Sequence, residues 1–264
     1  MTGRAAGWHM DWNPDHYLRF GDERLRPGLD LMNRIALEGV NSIVDLGCGT
    51  GTLTQALSQR WPEAGIVAID RSAGMMDRVV RENPKIEWRM GDIQTWYTEQ
   101  PLDLIYSNAA LHWINDHPAL FSNLLAQVAP GGALAVQVPN NFDAQSHRVL
   151  RDLAESPRWS ALFADQMNWP AVLPMKDYLE LLAPKAARVD FWETTYYHIL
   201  SGADPVLEWV RSTVLRPLLA ALPGDDARVQ FEADCGAALK RAYPTLSSGV
   251  TPFAFKRLFL IVYK

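Results

Sequence analysis

Cysteine is scarce in this chain of 264 residues. Only Cys48 and Cys235 are present, too few for a disulfide framework or a cysteine-rich zinc site. No stretch concentrates Lys and Arg, and the net charge is −5. Phosphate neutralisation calls for a basic face, so a nucleic-acid partner is not expected. No apolar run approaches the roughly 20 residues that span a bilayer, and no basic leader followed by an apolar core opens the chain. The expectation is a cytoplasmic protein with no membrane partner. Also missing are any Ser-His-Asp, Cys-His or metal-ligand constellation, any internal repeat and any low-complexity segment. Hydrophobic bulk, by contrast, is plentiful at 48%. That suffices for one large core, or a core with a small appended domain.

The chain is organised around Ile43-Val44-Asp45-Leu46-Gly47-Cys48-Gly49-Thr50-Gly51. A short apolar run carrying an acid gives way to three glycines at alternate positions, then to helical spacing at Leu53, Ala56 and Leu57. This reads as a buried parallel strand, a tight turn and a helix whose N-terminal N–H groups face a ligand. A dinucleotide site needs G-x-G-x-x-G. Here the third glycine falls one position early, which fits that fingerprint poorly.

Acids recur at the next strand ends. Gly65-Ile66-Val67-Ala68-Ile69 runs into Asp70, and Ile86-Glu87-Trp88-Arg89-Met90 into Gly91-Asp92-Ile93. An acid about 20 residues beyond the glycines is placed to accept from ribose hydroxyls, in nucleotide and adenosylmethionine sites alike. A fourth strand, 102–107, leads into Asn108-Ala109-Ala110-Leu111-His112-Trp113. A helix over 118–128 follows, then a Pro-Gly-Gly turn and a fifth strand, 133–138. Ahead of the motif, Arg26-Pro27 marks a break before a helix over 28–38 that ends at Gly39. Aromatic and β-branched residues predict two last strands at 188–198 and 255–264. The text between holds helices around 146–153, 159–163 and 176–182. Two more lie in 203–243, one carrying Leu207, Val210, Val214 and Leu218 on a single face.

The glycine turn resembles motif I of the class I S-adenosylmethionine-dependent methyltransferases. The resemblance implies an α/β, Rossmann-like doubly wound sheet of seven strands, order 3-2-1-4-5-7-6, with a helical cap inserted after strands 5 and 6. It implies a single methyltransferase domain over 11–264, cap insertions over the active site at 141–183 and 203–243, and a disordered leader over 1–10. S-adenosyl-L-methionine would be the cofactor. Asp45 would sit near its methionine amino end, with Gly47, Cys48, Gly49 and Gly51 beneath the sugar and methionine. Asp70 would meet the ribose, with Arg71 next to it in the cofactor site, and Met75, Asp92 and Ile93 the adenine. Asn108 and Ala109 would face the methionine end, and the aromatic pair Trp12 and Tyr17 would form a lid.

Several stretches narrow the resemblance to the trans-aconitate methyltransferases. They are Trp12-Asn13-Pro14-x-x-Tyr17, Ser107 through Trp113, Gln137-Val138-Pro139-Asn140-Asn141-Phe142 with Ser146-His147-Arg148, Trp192 through Tyr196, Thr213-x-Leu215-Arg216-Pro217 and Lys256-Arg257-Leu258-Phe259. The implied reaction is methylation of a carboxylate of a small polycarboxylate. That nucleophile is ionised at neutral pH and needs no general base, so no catalytic residue and no metal are expected. His112 and Trp113 would wall the acceptor side. His147, Arg148, Arg216 and Arg257 would supply cationic clamps, and Tyr196 a neutral donor. The expected state is a monomer or weak homo-oligomer. Rival readings are a carboxyl methyltransferase with another acceptor, free or bound to an acyl carrier protein, a nicotinamide-dependent oxidoreductase, and a non-catalytic adenosylmethionine sensor.

Overall fold

The computed structural model describes residues 21–79, 81, 83–163 and 172–264. The expected leader and the aromatic pair Trp12 and Tyr17 lie outside the described residues. The described residues form two compact units, one of 21–140, 172–194 and 256–264, the other of 141–163 and 195–255.

Strands β1 (Ser42–Leu46), β2 (Gly65–Asp70), β3 (Ile86–Met90), β4 (Leu102–Asn108), β5 (Val128–Pro139), β6 (Arg188–Ser201) and β7 (Val250–Tyr263) build one seven-stranded sheet. Its order, β3-β2-β1-β4-β5-β7-β6, is the one the resemblance implies. The pairings from β3 across to β5 are parallel, and β7 runs antiparallel to β5. Ile43 to Leu46 are all buried, as befits a central parallel strand covered on both faces. Because the strand order reverses between β1 and β4, their carboxyl ends open into the crevice where such sheets bind ligands.

The helices are α1 (Gly21–Arg34), α2 (Thr52–Arg60), α3 (Ala73–Met76), α4 (His117–Ala126), α5 (Gln145–Ala154), α6 (Ser160–Phe163), α7 (Met175–Leu182), α8 (Pro205–Arg211), α9 (Leu215–Ala221) and α10 (Gly224–Ala242). Four expectations are corrected. Pro27 lies inside α1 rather than before it. An interior proline costs a helix about 3 kcal/mol. Burial of Leu31 and Met32, and a hydrogen bond from the Tyr106 hydroxyl to the Gly28 carbonyl at 2.8 Å, oppose that loss. The helix ends at Arg34, before Gly39.

The Pro-Gly-Gly segment is a bulge within β5, not a turn ahead of it. The β4 register jumps from Leu102↔Val128 to Leu104↔Ala133, and Gly131 N–H donates to the Lys264 carbonyl at 2.7 Å.

The third correction concerns α7, which was expected in the cap. Its Tyr178 and Leu182 are fully buried in the sheet's own core with Phe121, Leu124, Leu258 and Leu260. The Tyr178 hydroxyl also bonds to His117 on α4.

The fourth is the helix expected to carry Leu207, Val210, Val214 and Leu218, which is two helices, α8 and α9. Ser212 and Thr213 bond back to the Trp209 carbonyl, and Pro217 is tolerated only because it falls in the first turn of a new helix. All four side chains are buried nonetheless. In the same unit Trp159 packs edge-on against Phe231 of α10 and donates to Asp234 at 3.0 Å. His198 stacks on Trp209 at 4.5 Å.

Candidate active site

The turn after β1 crosses the end of β2. Gly47 and Cys48 N–H groups both donate to the Ile69 carbonyl, at 2.8 and 3.0 Å. Gly47 has φ +80, and a methyl carbon placed on it would lie 2.2 Å from Ala110 Cβ and 3.5 Å from Ile93 Cδ1. The missing side chain is therefore what lets the β1, β3 and β4 loops converge. Gly49, at φ +56, differs: among the described residues nothing lies within 4 Å of where its Cβ would stand. Gly51 caps α2 and donates to the Cys48 carbonyl at 3.0 Å, with no side chain capping the helix.

Asp70 ties the turn to β2. Its Oδ2 accepts from Gly49 N–H and its Oδ1 from Ser72 N–H, each at 2.8 Å, while Gly91 N–H donates to its carbonyl at 3.1 Å. The Arg71 backbone N–H also bonds to this carboxylate; a carboxylate offers about four lone-pair directions, so accepting capacity remains. Arg71 and Asp92 are exposed, and Asp92 Oδ1 accepts from Gln94 N–H at 2.9 Å. Met75 is buried, and Met76 approaches Cys48 Sγ to 3.9 Å. Ala109 takes φ +54, an unusual conformation for a residue with a Cβ, at the tip of β4. Asn108 Oδ1 beside it is buried with no hydrogen-bond partner.

Burial dominates the electrostatics. It pushes the Asp45 carboxyl up to about 7, against the Thr54 hydroxyl bond at 2.6 Å and with the nearby Asp70 charge adding to it. Asp70 is raised as well, chiefly by burial and against its backbone donors. The Cys48 thiol is held far above its ordinary range by burial and then by both acids, so it stays protonated and fills space. A carboxyl whose folded pKa is raised binds its proton more tightly folded than unfolded. Stability therefore falls as pH climbs from the unfolded value, about 3.9, towards the folded one. Asp45→Asn should flatten that decline in Tm between pH 4 and 8; an unchanged slope would mean that Asp45 does not titrate as its burial requires.

Of the residues expected to meet the acceptor, His112 is buried in the short 3-10 turn Leu111–Trp113, its ring 4.7 Å from that of Trp113. Arg257 is buried on β7, where its Nη1 donates to Gln137 Oε1 at 3.4 Å. In the helical unit, successive residues of α5 diverge: His147 is buried and Arg148 exposed. Burial, then the Arg151 charge, lowers His147 to about 4. It is neutral near pH 7, so of the two residues expected to clamp an anion from α5 only Arg148 carries charge. Tyr196 is buried and Arg216 half-buried.

The Methyltransferase domain family matches residues 16–185. A trans-aconitate 2-methyltransferase of Yersinia pseudotuberculosis serotype O:1b is 42% identical over 255 residues, 96% of this chain and 98% of that protein. Another, from Mycolicibacterium gilvum, is 44% identical over 95% of this chain and 98% of its own length. The chain belongs to the trans-aconitate 2-methyltransferase family. Among solved structures, a Haemonchus contortus phosphoethanolamine N-methyltransferase 2 with S-adenosylhomocysteine bound shares the fold. It has a TM-score of 0.54 and 12% identity, covering 90% of this chain and 52% of that one.

For this family member, sequence reasoning passed over Thr54 and Ser72 as supports of the two acids. Thr54 was findable as a hydroxyl in the first turn of α2, and Ser72, whose backbone N–H meets Asp70, as an N-cap residue two positions past that acid. It also passed over Gln137, completely buried on β5, although one polar side chain within Ala-Val-Gln-Val-Pro was a signal.

Proposed function

We propose that this protein transfers the methyl group of S-adenosylmethionine to a carboxylate of trans-aconitate, giving a monomethyl ester. The likeness to relatives with that activity in their names, running nearly the whole length of the chain, carries the reading.

The residues present fit the cofactor. Among the described residues, Gly49 leaves open space where any other residue would put a side chain and Asn108 Oδ1 is a buried acceptor without a donor, and Asp70 keeps accepting capacity beyond its backbone donors. Asp45, Gly47, Gly49, Gly51, Asp70, Asn108 and Ala109 would hold it, with Asp92 and Ile93 at the adenine. When bound, the sulfonium supplies an activated methyl group.

The chain's own residues then have three tasks. They place a carboxylate oxygen in line with that methyl, neutralise the acceptor's other charges and exclude water. No proton has to be removed, because carboxylic acids are ionised at neutral pH. Arg257 in the sheet unit is the proposed anion-binding group, Arg because its planar fork pairs with carboxylates through two hydrogen bonds. The proposed cap is the helical segments 141–163 and 203–243, on chain order alone.

Two measurements test the reading. Titration with S-adenosylhomocysteine and with NAD should give binding of the first only; the reverse would return the site to nicotinamide chemistry. Transfer of radiolabelled methyl to trans-aconitate, cis-aconitate, isocitrate and isopropylmalate should label trans-aconitate best. Preference for another acid would replace the acceptor and keep the reaction.

A further inference from the structure

Gln137 is completely buried near the carboxyl end of β5. Its neighbours in the sheet are Asn108 on β4 and Phe259 on β7. Arg257 lies two residues from Phe259 and so shares a sheet face with Gln137. The opposite face carries the apolar core: Val136, Val138, Leu258 and Leu260 all belong to it. A polar row, Asn108, Gln137 and Arg257, thus crosses three strands on the other face.

The orientation of the Gln137 amide is fixed by chemistry. A guanidinium only donates, so the atom 3.4 Å from Arg257 Nη1 must be the oxygen. The NH2 group is then turned away from Arg257, and it is buried with no acceptor. A buried donor left unsatisfied is costly and is found where a ligand or water completes it. The Gln137 backbone carbonyl also accepts from Ala109 N–H at 2.9 Å. The strained tip of β4 and this amide are therefore held together.

Resting on the trans-aconitate reading, we infer that Gln137 determines acceptor specificity: its Nε2 donates to a non-reacting carboxylate of the substrate, beside Arg257. Sites built to hydrogen-bond a substrate group discriminate through the donor left unpaired when that group is missing. The carboxamide also holds the Arg257 fork in place through its oxygen.

Gln137→Glu tests this. It keeps size and an acceptor for Arg257 but removes the donor and sets a negative charge against the substrate. Tricarballylate, a tricarboxylate that meets no methyl donor in this mixture, is titrated calorimetrically into the full-length protein saturated with S-adenosylhomocysteine, alongside Gln137→Met. Both variants should lose about 30-fold or more in tricarballylate affinity, with S-adenosylhomocysteine affinity unchanged within about twofold. If either variant fails to fold, the other gives the same readout. Tricarballylate affinity within about threefold of wild type in a folded variant overturns the inference, as does a wild type that binds no tricarballylate. A wild type that binds tricarballylate through Gln137 yet methylates no trans-aconitate sinks the functional reading alone.

Discussion

Asp70→Ala is expected to weaken S-adenosylhomocysteine binding by about 2–3 kcal/mol, a factor of roughly 30–150. The effect has two sources. The side chain's spare lone pairs are proposed to accept from the ribose, and hydrogen bonds to charged groups are worth about 1.5–3 kcal/mol. The same carboxylate also receives Gly49 and Ser72 N–H at 2.8 Å. Removing it frees the turn that the cofactor would rest on. Asp70→Asn keeps one acceptor but sets an NH2 against the other backbone donor, so it should fall between the two. Calorimetry reads the dissociation constants directly. Unchanged affinity in Asp70→Ala would remove Asp70 from the binding site.

The second large effect separates two glycines that look alike in sequence. Gly47→Ala places its methyl carbon 2.2 Å from Ala110 Cβ at φ +80. A left-handed conformation costs an L-residue about 1–2 kcal/mol, and overpacking adds about 1–3. Its unfolding free energy should fall by about 2–5 kcal/mol. Gly49→Ala at φ +56 meets no neighbour among the described residues, so the backbone cost of about 1–2 kcal/mol is the one expected in stability. Its methyl group would instead occupy the space proposed for the cofactor. Gly47→Ala should therefore show chiefly in denaturant unfolding, and Gly49→Ala chiefly in cofactor affinity. Equal stability losses, with cofactor affinity unaltered in Gly49→Ala, would contradict this division.

Local signals were legible in the sequence and partnerships were not. The acids Asp45 and Asp70 and the glycines between them could be found because strand end, turn and helix start are contiguous, and each carries its chemistry in its residue types. Pro27 misled because propensity speaks only of the local helix, whereas burial of Leu31 and Met32 is a tertiary term. The amphipathic pattern of 176–182 announced a helix but not its partner, and α7 joined the sheet core through Tyr178 and Leu182. His147 read as a cation because burial, which neutralises it, has no signature in a neighbouring arginine. Gln137 stayed hidden because its meaning depends on Asn108 and Arg257, distant in sequence and adjacent only across the sheet.

The central claim is that a carboxylate receives the methyl group, and the most direct measurement is mass spectrometry of trans-aconitate after incubation with the protein and S-adenosylmethionine. The account predicts a product heavier by one methylene unit that reverts to the free acid in mild base, as an ester does. A base-stable product, or unmodified acid from protein that binds S-adenosylhomocysteine normally, would contradict it.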